Sequence, residues 1–199
     1  MVASLIRMAT VDDASAIAEI YRPIVESTAI SFETVAPHAD EMRQRIQDVL
    51  AAHPWLVYER DGVVAGYVYA STHRARAAYE WSVDTSVYVD ERFRRRSIGH
   101  GLYLSLFAVL IAQGYANAFA GITLPSPASV ALHERVGFTP VGVYRRVGYK
   151  LGAWHDVGWW QRPLEGLNAE PSSIRGLKNV QHGRDFDALL ATGLAVIRD

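Results

Sequence analysis

The chain has 199 residues, half of them hydrophobic, with a formal net charge of −1 and no cysteine. This length suits one domain with a sizeable core and a small appendage. The near-neutral balance argues against a general nucleic-acid binder, whose footprint is a basic excess. The lack of cysteine excludes disulfides, thiolate metal sites and a cysteine nucleophile. No run of about 18 apolar residues occurs, so no membrane span is read. The opening MVASLIRMATVDDA lacks the apolar core of a signal peptide, and a cytoplasmic setting is the default expectation.

In chain order, Leu5 to Ala9 reads as a short first strand. Thr10 followed three residues later by Asp13 resembles a capping box. A helical stripe follows through Ala14, Ile17, Ala18, Ile20, Tyr21 and Ile24, which Pro23 is expected to kink or end. AISFETVAP is an extended connector. HADEMRQRIQDVLAAH is a second helix, with Met42, Ile46, Val49 and Leu50 on one face. Trp55 to Glu59 and Val63 to Ala70 form a hairpin pattern around Asp61-Gly62.

After the polar stretch THRARAAYEW, Ser82 to Val89 reads as a strand and DERFRRRSIGHG as a connecting loop. Leu102 to Ala112 is an apolar helix stopped near Gly114. YANAFAGIT is a buried strand. SPASVALHERVGF is a short helix that Ser126 can cap and Gly137 stops. The stretch from Val141 to Leu164 alternates as a closing antiparallel pair. One strand–helix–strand crossover among hairpins predicts a three-layer α/β domain (α+β type) with a mixed, mostly antiparallel sheet. The domain is expected over 1–164. A turn-rich linker and an amphipathic terminal helix, with Phe186, Leu189, Leu190, Leu194 and Ile197 on one side, occupy 165–199.

The chemistry concentrates at RRRSIGHG. The P-loop pattern fails, since no Gly-Lys-Ser/Thr triplet is present. The dinucleotide pattern fails too, since Leu104 stands where its third glycine belongs. What remains is an anion site: free amides at a helix start, close backbone approach at glycine, and charge from Arg94, Arg95 and Arg96. From the loop alone, a solvated arginine run before an ordinary helix stays equally open.

The neighbouring blocks change the weighting. Arg96 to Gly101 matches the Arg/Gln-x-x-Gly-x-Gly/Ala signature of the Gcn5-related N-acetyltransferase (GNAT) superfamily. SFET, AYEW, TSVYV, LHERVGF and WHDVGWWQ resemble, in order, blocks of the phosphinothricin N-acetyltransferase family. The resemblance covers about residues 4 to 164. It implies a GNAT-like fold and acetyl-CoA as co-substrate, with no metal. Acetyl would pass directly to the α-amine of a small amino-acid-like acceptor of phosphinothricin, methionine sulfoximine or methionine sulfone type. It also implies a homodimer.

By the same resemblance, backbone amides of Ser97, Ile98, Gly99, His100 and Gly101 would cradle the pyrophosphate. Val87 and Val89 would flank the pantetheine arm. Asp84 stands where a catalytic glutamate is expected, and a plain strand-end carboxylate is its alternative. His133 would protonate the leaving thiolate, against the alternative of a helix-surface histidine. Ser126 stands where an asparagine is common and would bond the pantetheine, or only cap its helix. Arg74 and Arg76 would grip the acceptor's acidic end, walled by Phe32, Tyr79 and Trp81. Two further readings are an acetyltransferase for a protein N-terminus or polyamine, and a non-catalytic acyl-CoA-binding sensor. A serine hydrolase is disfavoured by the lack of a Gly-x-Ser-x-Gly elbow.

Overall fold

The computed structural model describes residues 4–164 and 170–198. Seven strands form one sheet: β1 (Ser4–Met8), β2 (Trp55–Arg60), β3 (Val63–Thr72), β4 (Ser82–Val89), β5 (Asn117–Leu124), β6 (Thr139–Lys150) and β7 (Ala153–Pro163). The order across the sheet is β1-β2-β3-β4-β5-β7-β6. All neighbours are antiparallel except β4 and β5, which the crossover helix α3 (Ile98–Gln113) joins in parallel. Helices α1 (Ala14–Ser27) and α2 (Ala39–Leu50) cover one face. The other face carries α3, α4 (Pro127–Arg135) and the tail. The domain is therefore three-layered, with one apolar cluster on each side of the sheet.

Local signals explain the elements. The Thr10 amide donates to the Asp13 carboxylate (2.7 Å) and opens α1. Asp61 and Gly62 both take positive φ, as a two-residue hairpin turn requires. Gly114, at φ 96°, ends α3. Contrary to expectation, α1 passes through Pro23 without ending there. Pro23 lies on the solvent face, where water can satisfy the carbonyl that loses its amide partner.

Two further expectations are corrected. Helix α3 starts at Ile98, so Ile98 to Gly101 form its first turn rather than a loop. The tail is not one helix but α5 (Leu177–Gln181), α6 (Phe186–Ala191) and a 3₁₀ turn at Leu194–Val196. α5 falls inside the stretch expected to be linker; the first part of that stretch, 165–169, lies outside the described residues.

The tail's course follows from the composition of α3. IGHGLYLSLFAVLIAQ is apolar nearly all round, so the sheet can bury only part of it. The tail covers the outer side, and Leu177 and Leu190 join the same cluster as Leu102, Leu106 and Leu110. Each such leucine removed from water contributes about 1.5–3 kcal/mol. Polar ties fix the path. The Arg175 amide donates to Gln113 O (2.7 Å) and the Arg198 amide to Arg96 O (2.9 Å). Between them, Ser105 Oγ donates to Leu190 O (2.6 Å) and accepts from the Gly193 amide (3.0 Å). The tail thus runs along α3 from its C-terminal end to its N-terminal end.

Candidate active site

The parallel pair β4–β5 is joined at only three positions, Ser82–Asn117, Val83–Ala118 and Asp84–Phe119. Both strands continue, to Val89 and Leu124, without pairing each other. Thr85 sits at the parting, and its Oγ1 donates to Phe119 O (3.1 Å). The facing strand edges beyond it have amides and carbonyls that no ladder uses, which an extended amide-bearing chain can pair with. The slit between them, about 60 Å³, is lined by Thr85 to Tyr88, by Gly121 to Thr123, and by Ser126, Ser129 and His133.

Strand alternation divides the slit into two sides. Val83, Val87 and Val89 pack on the α3 side, whereas Tyr88 packs on the α1 side. Asp84 has the parity of Tyr88 and opens to the α1 side. Trp81 has the parity of Val83. Its Nε1 donates to Ser172 O of the tail (2.7 Å), so it does not wall the acceptor pocket as expected.

On the α1 side, Asp84 Oδ1 lies 2.7 Å from His73 Nδ1, and the Asp84 side chain is 30% exposed. Burial raises the Asp84 pKa above the ordinary aspartate value, and the His73 hydrogen bond offsets part of that. Arg74 lies over Trp159 of β7, 5.8 Å from the ring centroid, and Tyr79 meets His73 edge-on. Arg76 is solvent-exposed at the start of the 3₁₀ turn Ala77–Tyr79. Phe32 faces His155 of β7 and packs against Gly148, where any Cβ would collide with the ring. Its loop is pinned from below: buried Lys150 donates through Nζ to Val25 O (2.6 Å) and Ser31 O (2.7 Å). Asp84 of β4, Arg74 and Tyr79 of the β3–β4 loop, and Phe32 of the α1–α2 connector thus come from three separate stretches to one face of the sheet.

On the α3 side, His133 is only 5% exposed. Ser129 O can only accept, so Nδ1 (2.7 Å away) carries the proton. Nε2 then accepts from Tyr103 Oη at 2.8 Å. Burial lowers the His133 pKa and raises that of Tyr103, so the pair is a neutral imidazole and an intact phenol. Both ring nitrogens are therefore committed. Ser129 Oγ stands 3.4 Å from Nδ1 and also lines the slit.

At the mouth, Arg95 and Ser97 both adopt left-handed φ (65° and 60°), and Ser97 is the N-cap of α3. Such alternation turns successive amides toward one concavity. The Gly101 amide already donates to Ser97 O (3.0 Å), which leaves the first-turn amides of Ile98, Gly99 and His100 for an anion. His100 Nδ1 is buried without a hydrogen-bond partner. A Cβ on Gly101 would strike Gly193 O and Ile197 of the tail, so its bareness admits the tail. A Cβ on Gly99 would press Leu132 at 3.0 Å. Arg94 borders a separate cavity with Asp90 and Glu91, and Arg95 is exposed. Ser126 is the N-cap of α4, yet its hydroxyl makes no capping bond and remains at the slit.

Sequence reading missed His73, Tyr103 and Ser129. His73 was legible in principle, since an antiparallel β3–β4 pair brings the end of β3 beside the start of β4. Ser129 lies one turn before His133 on α4, the spacing at which helical side chains meet.

A GNAT acetyltransferase domain model matches residues 6–159, and the chain belongs to that family. Its reaction is acetyl-CoA-dependent N-acetylation. It is 41% identical to the phosphinothricin N-acetyltransferase of Streptomyces viridochromogenes over 175 residues, 88% of this chain and 95% of that protein. It is 32% identical to a Salmonella typhimurium L-methionine sulfoximine/L-methionine sulfone acetyltransferase, over 80% of this chain and 94% of that one. Among solved structures, a phosphinothricin acetyltransferase from Sinorhizobium meliloti in complex with acetyl-CoA superposes with a TM-score of 0.81. It is 34% identical, over 85% of this chain and 93% of that one.

Proposed function

We propose that the chain acetylates the α-amine of a small amino acid with an acidic or strongly polar tetrahedral end, of the phosphinothricin, methionine sulfoximine or methionine sulfone class. The carrying observation is Asp84: a carboxylate beside the point where β4 and β5 part, with one oxygen held by His73. Arg74, Arg76 and Tyr79 lie in the loop that carries His73. That juxtaposition fits an acceptor with an ammonium at one end and an anionic or polar group at the other. The names of the relatives point to the same class.

Acetyl-CoA supplies the acetyl group as a thioester. The first-turn amides of α3 face its pyrophosphate, and the unpaired edges of β4 and β5 take its amide-bearing arm. Asp84 removes the ammonium proton, a task its raised pKa suits. On the opposite side, His133 holds a proton on Nδ1, and Ser129 Oγ stands between that proton and the slit. The Ser129 hydroxyl, held beside that N–H, donates a hydrogen bond to the leaving sulfur. The neutral imidazole keeps its own proton and only positions the hydroxyl. A cationic polyamine would meet Arg74 and Arg76 and is disfavoured by repulsion.

The test is thiol release from acetyl-CoA with phosphinothricin, methionine sulfone, spermidine and an N-terminal peptide. Preference for the first two is expected. Preference for spermidine or the peptide would overturn the acceptor class. Tight acetyl-CoA binding with no release on any amine would favour a sensor.

We also assign the exposed face of β6 and its turn to a second copy of the chain. Val141, Tyr144, Val147 and Tyr149 (60% exposed) of β6 and Trp154 (54%) at the start of β7 leave large apolar side chains open to solvent around Arg145 and Arg146, which fits a dimer seam. Sedimentation at micromolar concentration should give a dimer, and Val147→Glu should give a monomer. A monomeric parent chain would remove the assignment.

A further inference from the structure

Asp84 has a neighbour that acetyl transfer as described leaves without a task. His73 stands one residue past the end of β3, where Ser71 lies opposite Asp84 and Thr72 opposite Val83. Its imidazole folds back to Asp84, with Nδ1 2.7 Å from Oδ1. The ring is stacked on Phe119 at 4.3 Å and 14°, and Tyr79 and Trp159 meet it edge-on at 5.9 and 6.4 Å. Only 11% of the side chain is exposed. Ordering a loop side chain this fully costs entropy, which the contacts must offset.

Direction decides what the ring can do. The slit opens beyond Asp84, toward Val89, whereas His73 approaches from the end where β3 and β4 are still paired with their neighbours. The imidazole therefore stands behind the carboxylate and does not reach the slit. A carboxylate's last torsion is broad and two-fold. A charge-assisted bond to Oδ1 fixes its plane and presents Oδ2, which has no hydrogen-bond partner among the described residues.

We propose that His73 is a positioning residue, whose Nδ1–H orients Asp84 so that Oδ2 faces the acceptor ammonium. The proposal rests on Asp84 being the base. Besides His73, the charged and titratable groups facing Asp84 are Arg74 of the same loop and Tyr69 of β3.

The experiment uses the full chain with methionine sulfone and acetyl-CoA. His73→Phe keeps a ring on Phe119 but removes the donor. It should lower kcat on the order of tenfold or more, the scale of one hydrogen bond to a charged group. Acetyl-CoA affinity should be unchanged. The acid limb of kcat should move to higher pH, because the ionised carboxylate loses a donor that favours it. His73→Asn, whose amide can reach the Nδ1 position, should recover most of the rate. His73→Gln, whose amide matches Nε2, should not, and it serves if the Phe variant does not fold. Arg74→Ala should move the limb less than His73→Phe.

Wild-type kcat and pH limb in His73→Phe, or His73→Asn no better than His73→Gln, would overturn the positioning role. Asp84→Asn separates the two layers of the argument. If it stays active, the base assignment itself fails. If it is inactive while His73→Phe is intact, only the role of His73 fails.

Discussion

On the α1 side of the slit, Asp84 is part-exposed and keeps one oxygen without a partner among the described residues, its other oxygen tied to a single ring. On the α3 side, His133 is buried and has both nitrogens engaged, by Ser129 O and Tyr103 Oη. The first arrangement suits a group that must meet a substrate arriving from solvent. The second suits a fixed wall that holds the neighbouring Ser129 hydroxyl at the slit. Desolvation acts on both, but with opposite meaning. It makes the carboxylate a stronger base and keeps the imidazole neutral.

The sharpest way to break this contrast is Asp84→Ala. Turnover should fall about 10²–10⁴-fold, the usual contribution of a positioned base, while calorimetry finds acetyl-CoA affinity intact. Joint loss of both would mean that the two sides are not separable. Next in size is Gly193→Val, which acts on the wall from behind. Its side chain would collide with the Gly101 backbone. Overpacking of this kind costs about 1–3 kcal/mol, read as a lower Tm together with weaker acetyl-CoA binding. An unchanged Tm would show that the tail lies elsewhere in solution.

His133→Phe should leave the buried Tyr103 hydroxyl with only the longer contact to Thr85 Oγ1 (3.5 Å), costing about 1–3 kcal/mol, and reduce kcat less than Asp84→Ala does. A larger kinetic loss than that variant's would reverse the ranking of the two sides. Arg74→Ala should be milder still. The acceptor KM should rise several-fold with kcat preserved, as fits an exposed charge whose interactions water screens.

The smallest effect concerns stability. The folded-state pKa of Asp84 is raised, so the folded chain holds that proton more tightly than the unfolded one. Its contribution to stability is full below the ordinary aspartate value and is lost as pH rises through the raised value. At neutral pH the ionised group is thus a small cost. Asp84→Asn should match or exceed the parent Tm at pH 7 while losing activity, and a clear drop in Tm would contradict the assigned burial effect.

Much of the fold follows from short-range pattern. The two helices before Trp55, the Asp61-Gly62 hairpin, the β4–α3–β5 crossover and the stop at Gly114 are each written within one or two turns of chain, where periodicity and turn chemistry act. RSIGHG likewise points to a helix start with free amides. The same stretch does not disclose the tail's approach to Gly101, because that constraint comes from Gly193, far along the chain. Trp81 misleads for a related reason: parity along β4, not its neighbours in AYEW, sends it to the tail.

By itself, then, the sequence determined the layers, the crossover and a glycine-bearing helix start with free amides, since all of these depend on local periodicity and backbone chemistry. Only the tertiary structure decided that His73 backs Asp84, that Tyr103 and Ser129 engage His133, and that the tail clasps α3 up to the loop. Each of these pairings joins residues from different elements. Strand register and helix packing set such contacts, and no short window of sequence contains them.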